Sequence, residues 1–144
     1  MQDVMRNQFY KQRSDFELSA IERDKTQVMP EGVSVQTDIP YMNDGDKAHR
    51  MDVYRPEGSE DTTLPVVINI HGGGLLIGSK EFNRFFCAKL SRLGYLVFSI
   101  DYRLVPDCMV FDQFSDVCNA FKYINAHLGE YNGDSGHIYG VADS

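Results

Sequence analysis

The spacing of apolar residues changes once along the chain, near residue 30. Before it, apolar positions recur at loosely helical spacing among charged neighbours, which predicts one or two amphipathic helices ending before Pro30. From Val33 the pattern alternates, and segments 33–40 and 49–55 predict an antiparallel hairpin, with Val33, Val35, Thr37 and Ile39 on one face of its first strand. The polar segment 43–46 between them lacks the spaced ligands of an EF-hand calcium loop, so it is interpreted as a turn formed by residues that favour turns.

After the hairpin the chain alternates between short apolar runs and amphipathic segments. The β-branched run Val66–Ile70 predicts a strand covered on both faces, and segments 95–100 and 138–142 predict further strands. Segments 80–93 and 111–128 predict helices that end at Gly94 and Gly129. Their predicted buried stripes are Phe82, Phe85, Phe86, Leu90 and Leu93 in the first helix, and Phe111, Phe114, Val117, Phe121, Ile124 and Leu128 in the second. Successive β-α-β units predict an α/β fold with parallel strands.

Composition and charge narrow the possible partners. The 144 residues include 14 Lys and Arg against 21 Asp and Glu, a net charge of −7 that argues against nucleic acid as a partner. The longest apolar stretch, Tyr95–Phe98, is far shorter than the roughly 20 residues of a membrane helix. No apolar signal region is visible near Met1, so a cytoplasmic location is expected. Three cysteines without a CxxC pair predict reduced, mostly buried thiols and no zinc site.

Candidate chemistry lies at the ends of three predicted strands. His71–Gly74 follows the first, and consecutive glycines suit a loop whose backbone N–H groups approach a ligand, as in an oxyanion hole. A flexible turn or a phosphate-binding loop is the alternative, although Lys80 does not stand where a P-loop requires lysine. Segment 101–107 is interpreted as structural, with Asp101 pairing with Arg103 and Pro106 ending the loop. Residues 140–144 bring small residues and an acid to a serine, as a nucleophile elbow does.

These three segments together resemble the hormone-sensitive-lipase-like branch of the α/β-hydrolase esterases. His71–Gly74 matches HGGG, 101–107 matches DYRLAPE, and 142–144 matches the first half of GDSAG, in the family's order. The resemblance implies an α/β-hydrolase fold, with a mostly parallel sheet and an amino-terminal antiparallel hairpin, truncated after the nucleophile strand. Residues 1–30 would form cap or lid helices, and residues 31–144 the amino-terminal half of the core.

The same resemblance implies roles for individual residues. Ser144 would be the nucleophile, the N–H groups of Gly73 and Gly74 would form the oxyanion hole, and His71 and Gly72 would support that loop. Ala142, where the family usually has glycine, and Asp143 would shape the elbow. The catalytic acid and histidine follow the serine in this family and would lie outside this chain. The remaining histidines, His49, His127 and His137, are therefore interpreted as structural or solvated.

Two classes of function stay open at this point. The first is a serine carboxylesterase or lipase-like hydrolase of short- to medium-chain acyl esters, with a small-molecule ester as its partner and no cofactor or metal. The missing carboxy-terminal half would be a separate segment or chain. The second is a non-catalytic, receptor-like binding protein or an inactive truncated hydrolase on the same fold. Gly133–Gly136 resembles the GDSGG of chymotrypsin-like proteases, but a loop between a helix and a parallel strand does not suit that all-β class.

Overall fold

The alternating and β-branched segments form one five-stranded sheet in the computed structural model, which describes residues 1–144. The strands are β1 (Val33–Pro40), β2 (Arg50–Pro56), β3 (Leu64–Ile70), β4 (Leu96–Ile100) and β5 (Gly133–Ala142). Their order across the sheet is β1-β2-β4-β3-β5. β2 is antiparallel to both β1 and β4, whereas β3 is parallel to β4 and β5. The predicted hairpin, the parallel strands and the α/β class are confirmed.

Three helices accompany the sheet. They are α1 (Gln2–Asp24), α2 (Arg84–Arg92) and α3 (Val110–His127). A 3₁₀ turn, Lys80–Asn83, precedes α2, and another, Leu128–Tyr131, follows α3. The amino-terminal segment is thus one helix, and none of its residues is buried. No helix of the structure combines the length and the apolar character needed to cross a membrane.

The core lies on both faces of β3 and β4, because successive side chains of a strand point to opposite faces. Ile68 and Phe98 lie in the larger cluster with Ile124 of α3. Val67 and Val97, one residue earlier on each strand, lie in the smaller cluster with Ala88 of α2. This two-sided burial explains why both strands are continuous apolar runs.

The predicted apolar stripes of the two later helices are wrong in part. α2 buries Phe85, Cys87, Ala88 and Ser91, while Leu93 is 76% exposed and Phe86 is also exposed. The tighter 3₁₀ turn before α2 changes the helical phase, so the stripe counted from residue 80 is confirmed at the buried Phe85 and the core-packed Leu90 but not at Phe86 and Leu93. α3 buries Gln113, Asp116, Ala120 and Ile124, and Phe111 and Phe114 are exposed. The stripe is confirmed at Val117, Phe121, Ile124 and Leu128, which lie in or against the core, whereas near the start of α3 the polar Gln113 and Asp116 lie inward in place of Phe111 and Phe114.

Two smaller expectations also change. A bulge between Gln36 and Ile39, with Asp38 at a φ of 59°, interrupts the alternation of β1. Of the three cysteines, all free, only Cys87 is buried; Cys108 is half-buried and Cys118 is exposed. The expectation of mostly buried thiols is therefore wrong for Cys118.

Helix α1 packs across the loops that follow β3 and β4. Phe16 contacts Phe82 of the 3₁₀ turn, with ring centroids 4.9 Å apart. Arg23 donates a hydrogen bond of 2.9 Å to the Phe82 carbonyl, and Arg84 pairs with Asp24 at 3.0 Å. The division into a cap at residues 1–30 and a core at 31–144 stays a prediction.

Core packing around Phe98 generates a stability prediction. Its side chain is fully buried and meets the Tyr131 ring edge-to-face, with centroids 5.3 Å apart. We expect Phe98→Ala to lower the free energy of unfolding by about 3–5 kcal/mol, because it removes a ring and leaves a cavity. Leu93→Ala, at the exposed end of α2, should change it by less than about 0.5 kcal/mol. Urea unfolding followed by circular dichroism measures both, and equal losses would contradict this description of the core.

Candidate active site

Three loops meet at the carboxyl edge of the parallel strands. His71–Gly74 follows β3, segment 101–107 follows β4, and Asp143 and Ser144 follow β5. Since β3 lies between β4 and β5, the glycine loop is next to both of the other segments. Ligand sites of open α/β sheets gather at this edge. The three segments that carry the sequence resemblance are thus neighbours in space.

Gly72 brings the glycine loop into direct contact with the end of β5. A Cβ atom on Gly72 would lie 2.5 Å from the carbonyl oxygen of Ser144 and 2.9 Å from the carbonyl carbon of Asp143. Only glycine fits such a close approach of two backbones. The Asp143 N–H also donates to the Ile70 carbonyl at 3.3 Å, which continues the β3–β5 pairing up to the serine.

The backbone of the glycine loop turns sharply after Gly72. Gly73, Gly74 and Leu75 have φ values of 135°, 58° and 69°. The Gly73 carbonyl accepts hydrogen bonds of 3.1 Å from the N–H groups of Leu76 and Ile77. The N–H groups of Gly73 and Gly74 donate to no other group of the chain. Two residues with unbonded backbone donors therefore line the same cavity as Ser144.

His71 is a buried support of this loop. Its Nδ1 lies 2.9 Å from the Gly72 carbonyl, and its ring stacks on Tyr102 with centroids 4.4 Å apart. The Tyr102 hydroxyl donates to the His71 carbonyl at 2.7 Å. Burial lowers the pKa of His71, so the ring is neutral at neutral pH. These contacts join the glycine loop to the segment after β4.

The expected pairing of Asp101 with Arg103 is wrong. Arg103 instead forms a two-point ion pair with Asp116 of α3, at 2.9 and 2.7 Å, and its backbone N–H donates to the same carboxylate. Burial would raise the pKa of Asp116, but these hydrogen bonds hold it below its usual value. Asp101 accepts a hydrogen bond of 2.6 Å from the backbone N–H of Lys80. Asp101 therefore holds the backbone at Lys80, whereas Asp116 holds the segment after β4 at Arg103.

Sequence reasoning missed several polar contacts around the site. Asn83 donates to the Asp143 carboxylate at 2.5 Å, and Asn69 donates to Ser99 inside the sheet at 3.0 Å. The Lys80 ammonium is buried among carboxylates, 3.0 Å from Asp52. Burial alone would lower the Lys80 pKa, but the neighbouring carboxylates raise it overall. The β1 bulge at Asp38, whose N–H donates to Asp52, accompanies this cluster of charges. The bulge is visible in the structure and not in the sequence, so no sequence signal marked the cluster.

The other histidines lie away from the glycine loop. His49 is buried between two carboxylates, with Nδ1 2.6 Å from Asp44 and Nε2 3.0 Å from Asp116. His127 contacts the carbonyl of its own helix at Tyr123. His137 is exposed beside Asp134. None of the three lines the cavity between the glycine loop and Ser144.

A largely apolar cavity of about 340 Å³ adjoins the serine. Its wall combines the glycine loop with Asp143 and Ser144, and apolar side chains complete it: Leu75, Val110, Phe114 and Val117. No residue of α1 lines it. No group of three or more His, Cys, Asp or Glu side chains is arranged to hold a metal ion. A hydroxyl, two free N–H donors and an apolar wall can together hold a carbonyl group with an attached hydrocarbon chain.

Comparisons with known proteins agree with this chemistry. A family model described as BD-FAE matches residues 51–144. A probable isoprenylcysteine alpha-carbonyl methylesterase of Arabidopsis thaliana is 32% identical over 96 residues, which make up 67% of this chain and 20% of that protein. The probable carboxylic ester hydrolase LipM of Mycobacterium tuberculosis is 32% identical over 107 residues, or 68% of this chain and 25% of that protein.

Solved structures extend the similarity to the whole chain. Esterase B from Lactobacillus rhamnosis superposes with a TM-score of 0.93 at 27% identity, covering 100% of this chain and 46% of the esterase. A bacterial heroin esterase gives 0.75 at 26% identity, covering 92% of this chain and 41% of that one. The expected α/β-hydrolase esterase fold is confirmed. The chain spans less than half the length of these esterases and a quarter or less of the curated relatives named above.

Asp101 generates a pH prediction. Its side chain is 18% exposed, and burial raises its pKa from 3.8 to about 7. A carboxyl that binds its proton more tightly when folded favours folding at low pH, and this contribution is lost as the pH rises toward 7. We expect the wild type to lose stability relative to Asp101→Asn between about pH 4 and pH 7, the interval between the two pKa values. Thermal unfolding across this range measures the difference, with the exposed Asp61→Asn as the control for one lost negative charge. Parallel curves for wild type and Asp101→Asn would contradict the raised pKa.

Proposed function

The chain belongs to the BD-FAE family, and from this premise we propose that it is the amino-terminal part of a serine carboxylesterase acting on short- to medium-chain acyl esters. One observation carries the proposal. Ser144 lies at the end of β5 against Gly72 and lines the same apolar cavity as Gly73 and Gly74, whose backbone N–H groups have no partner in the chain. Acyl transfer needs a nucleophile and oxyanion donors in this arrangement.

In the proposed reaction, the Ser144 hydroxyl oxygen attacks the ester carbonyl carbon and gives up its proton to a general base. The N–H groups of Gly73 and Gly74 stabilise the tetrahedral oxyanion, each contributing about 3 kcal/mol. As that intermediate collapses, the bond to the leaving oxygen breaks, the protonated base gives its proton to that oxygen so that it departs as the alcohol, and the acyl group remains on Ser144. Attack by water then releases the carboxylic acid and restores the serine.

In the proposed mechanism, the general base and the acid that orients it come from residues that follow Ser144 in the polypeptide. In the α/β-hydrolase order the acid and the histidine follow the serine. The histidines of this chain are engaged elsewhere, since His71 supports the loop and His49 bridges two carboxylates. We propose that a carboxy-terminal half supplies both groups, and the greater length of the matched esterases supports this.

Substrate class follows from the cavity and the relatives. An apolar wall favours an acyl chain over a charged or sugar-like group at this position. The relatives named as methylesterase, carboxylic ester hydrolase and esterase are consistent with small ester substrates. A cytoplasmic location belongs to the same proposal.

The nucleophile is tested on the full-length polypeptide that carries this chain. We expect Ser144→Ala to lower kcat for p-nitrophenyl butyrate by at least about 10⁴-fold, because acyl transfer then has no attacking oxygen. Ser135→Ala is the matched control, since Ser135 is an exposed serine in β5, the strand that Ser144 follows. Release of p-nitrophenol followed by absorbance measures both. Hydrolysis that survives Ser144→Ala would contradict the proposal, and binding of esters without turnover by the wild type would favour the receptor-like alternative.

The Gly72 contact is tested by adding one methyl group. Gly72→Ala places a Cβ against the backbone of Asp143 and Ser144, so either the loop or the serine must move. We expect kcat to fall by about 100-fold or more, since a shift of about 1 Å at the reacting groups has that effect. Gly129→Ala is the control, because no atom lies within 4 Å of its added Cβ. Equal activity of the two variants would show that the serine does not depend on this contact.

A further inference from the structure

The glycine loop contains a strained turn, held internally only by the two hydrogen bonds that the Gly73 carbonyl accepts. Leu75 takes a φ of 69°, a left-handed conformation that costs an L-amino acid roughly 1–2 kcal/mol. It follows Gly73 and Gly74, whose φ values are also positive, so the backbone here is inherently adaptable. Such a conformation persists only where its surroundings fix it.

Part of that support comes from the neighbouring loop and from α3. The Leu75 carbonyl accepts hydrogen bonds from the Val105 N–H at 3.1 Å and from the Gln113 amide at 2.9 Å. The same amide donates to the Arg103 carbonyl at 2.9 Å. These bonds join the turn at Leu75 to the loop after β4.

Further support comes from one side chain of α1. The Arg13 guanidinium donates from Nε to the Leu76 carbonyl at 3.2 Å and from Nη2 to the Val105 carbonyl at 3.0 Å. Its Nη1 pairs with the Asp107 carboxylate at 2.9 Å. Tyr10, one helical turn earlier, donates to the other oxygen of that carboxylate at 2.5 Å. The Tyr10 hydroxyl and Arg13 hold the Asp107 pKa below its usual value, so the pair is charged at neutral pH.

We propose that Arg13 is a positioning residue, which clamps the oxyanion loop at Leu76 to the loop at Val105 and Asp107. The inference rests on the proposed function, because it assigns Arg13 to the placement of the Gly73 and Gly74 donors. The planar guanidinium fork suits three acceptors on two loops, whereas a lysine ammonium is a point charge. α1 thereby acts on the site from outside the cavity.

The contacts separate this role from that of a surface ion pair. The Arg13 side chain is 20% exposed and two of its three acceptors are backbone carbonyls, while Lys11 on the same helix is 75% exposed and contacts only Asp15. Arg23 and Asp24 hold the end of α1 by other bonds. Removal of the Arg13 fork should therefore release the loop without releasing the helix.

The test compares Arg13→Met, Arg13→Lys and Lys11→Met in the full-length polypeptide. Hydrogen exchange of segment 72–78, by mass spectrometry, reports the loop independently of catalysis. We expect exchange of this segment to accelerate about tenfold in Arg13→Met, with exchange of 14–24 unchanged. For p-nitrophenyl butyrate, kcat should fall about 10- to 100-fold with KM within twofold, because an oxyanion contact acts in the transition state. Arg13→Lys should recover only part of kcat, and Lys11→Met should match the wild type.

The outcomes distinguish the two proposals. Faster exchange in segment 72–78 together with a loss confined to kcat supports the clamp. Unchanged exchange in Arg13→Met, or a change in KM alone, overturns it, even if Ser144→Ala abolishes hydrolysis. A wild type without Ser144-dependent hydrolysis overturns the proposed function, and the exchange of segment 72–78 then still decides whether Arg13 holds the loop.

Discussion

The close approach of the Gly72 backbone to Asp143 and Ser144 is the constraint on which the site depends. It requires the loop after β3 to touch the end of β5, and only a residue without a side chain permits that contact. The sheet order makes it possible, because β3 and β5 are parallel neighbours that end at the same edge. Their pairing extends one residue past β5, through the Asp143 N–H and the Ile70 carbonyl. Sheet hydrogen bonding therefore fixes the backbone immediately before the serine.

Buried charge fixes two further segments near this edge, the one after β4 and the one at Lys80. Asp116 is nearly inaccessible to solvent, and its pair with Arg103 anchors the segment after β4 to α3. Lys80 is buried with Asp52, which ties the segment after the glycine loop to β2. A buried ion pair contributes little net stability, because desolvation offsets most of the attraction. The geometric effect of such a pair is stronger, because the buried Asp116 and Lys80 keep their charges compensated only while the segments that carry their partners stay in place. These pairs are better explained by loop placement than by stability.

Sequence pattern predicted the elements well and the buried faces of the helices only in part, for a physical reason. β3 and β4 are covered on both faces, so their apolar runs identify them without any knowledge of partners. A helix stripe, in contrast, is read by assuming that phenylalanine lies inward and polar residues outward. In α3, Arg103 draws Asp116 inward, and Gln113 turns inward to bind two carbonyls, which rotates Phe111 and Phe114 to the surface. Arg103 is recognisable as a loop residue, but its partner depends on the helical phase, which only tertiary structure supplies.

More of the candidate site than of its supporting contacts could be predicted from the sequence, because the site rests on local features and the supports on long-range contacts. A glycine run after a strand and a serine after another strand are local features, and parallel strands bring local features at their ends together. Arg13, Asn83 and Gln113 act across long sequence separations on backbone carbonyls or on a single carboxylate. A carbonyl is present at every residue, so no residue type in the sequence marks which one is bound. Oxyanion catalysis depends on donors fixed before the substrate arrives. Arg13, Asn83 and Gln113 add to this rigidity, and their partners cannot be identified from the sequence alone.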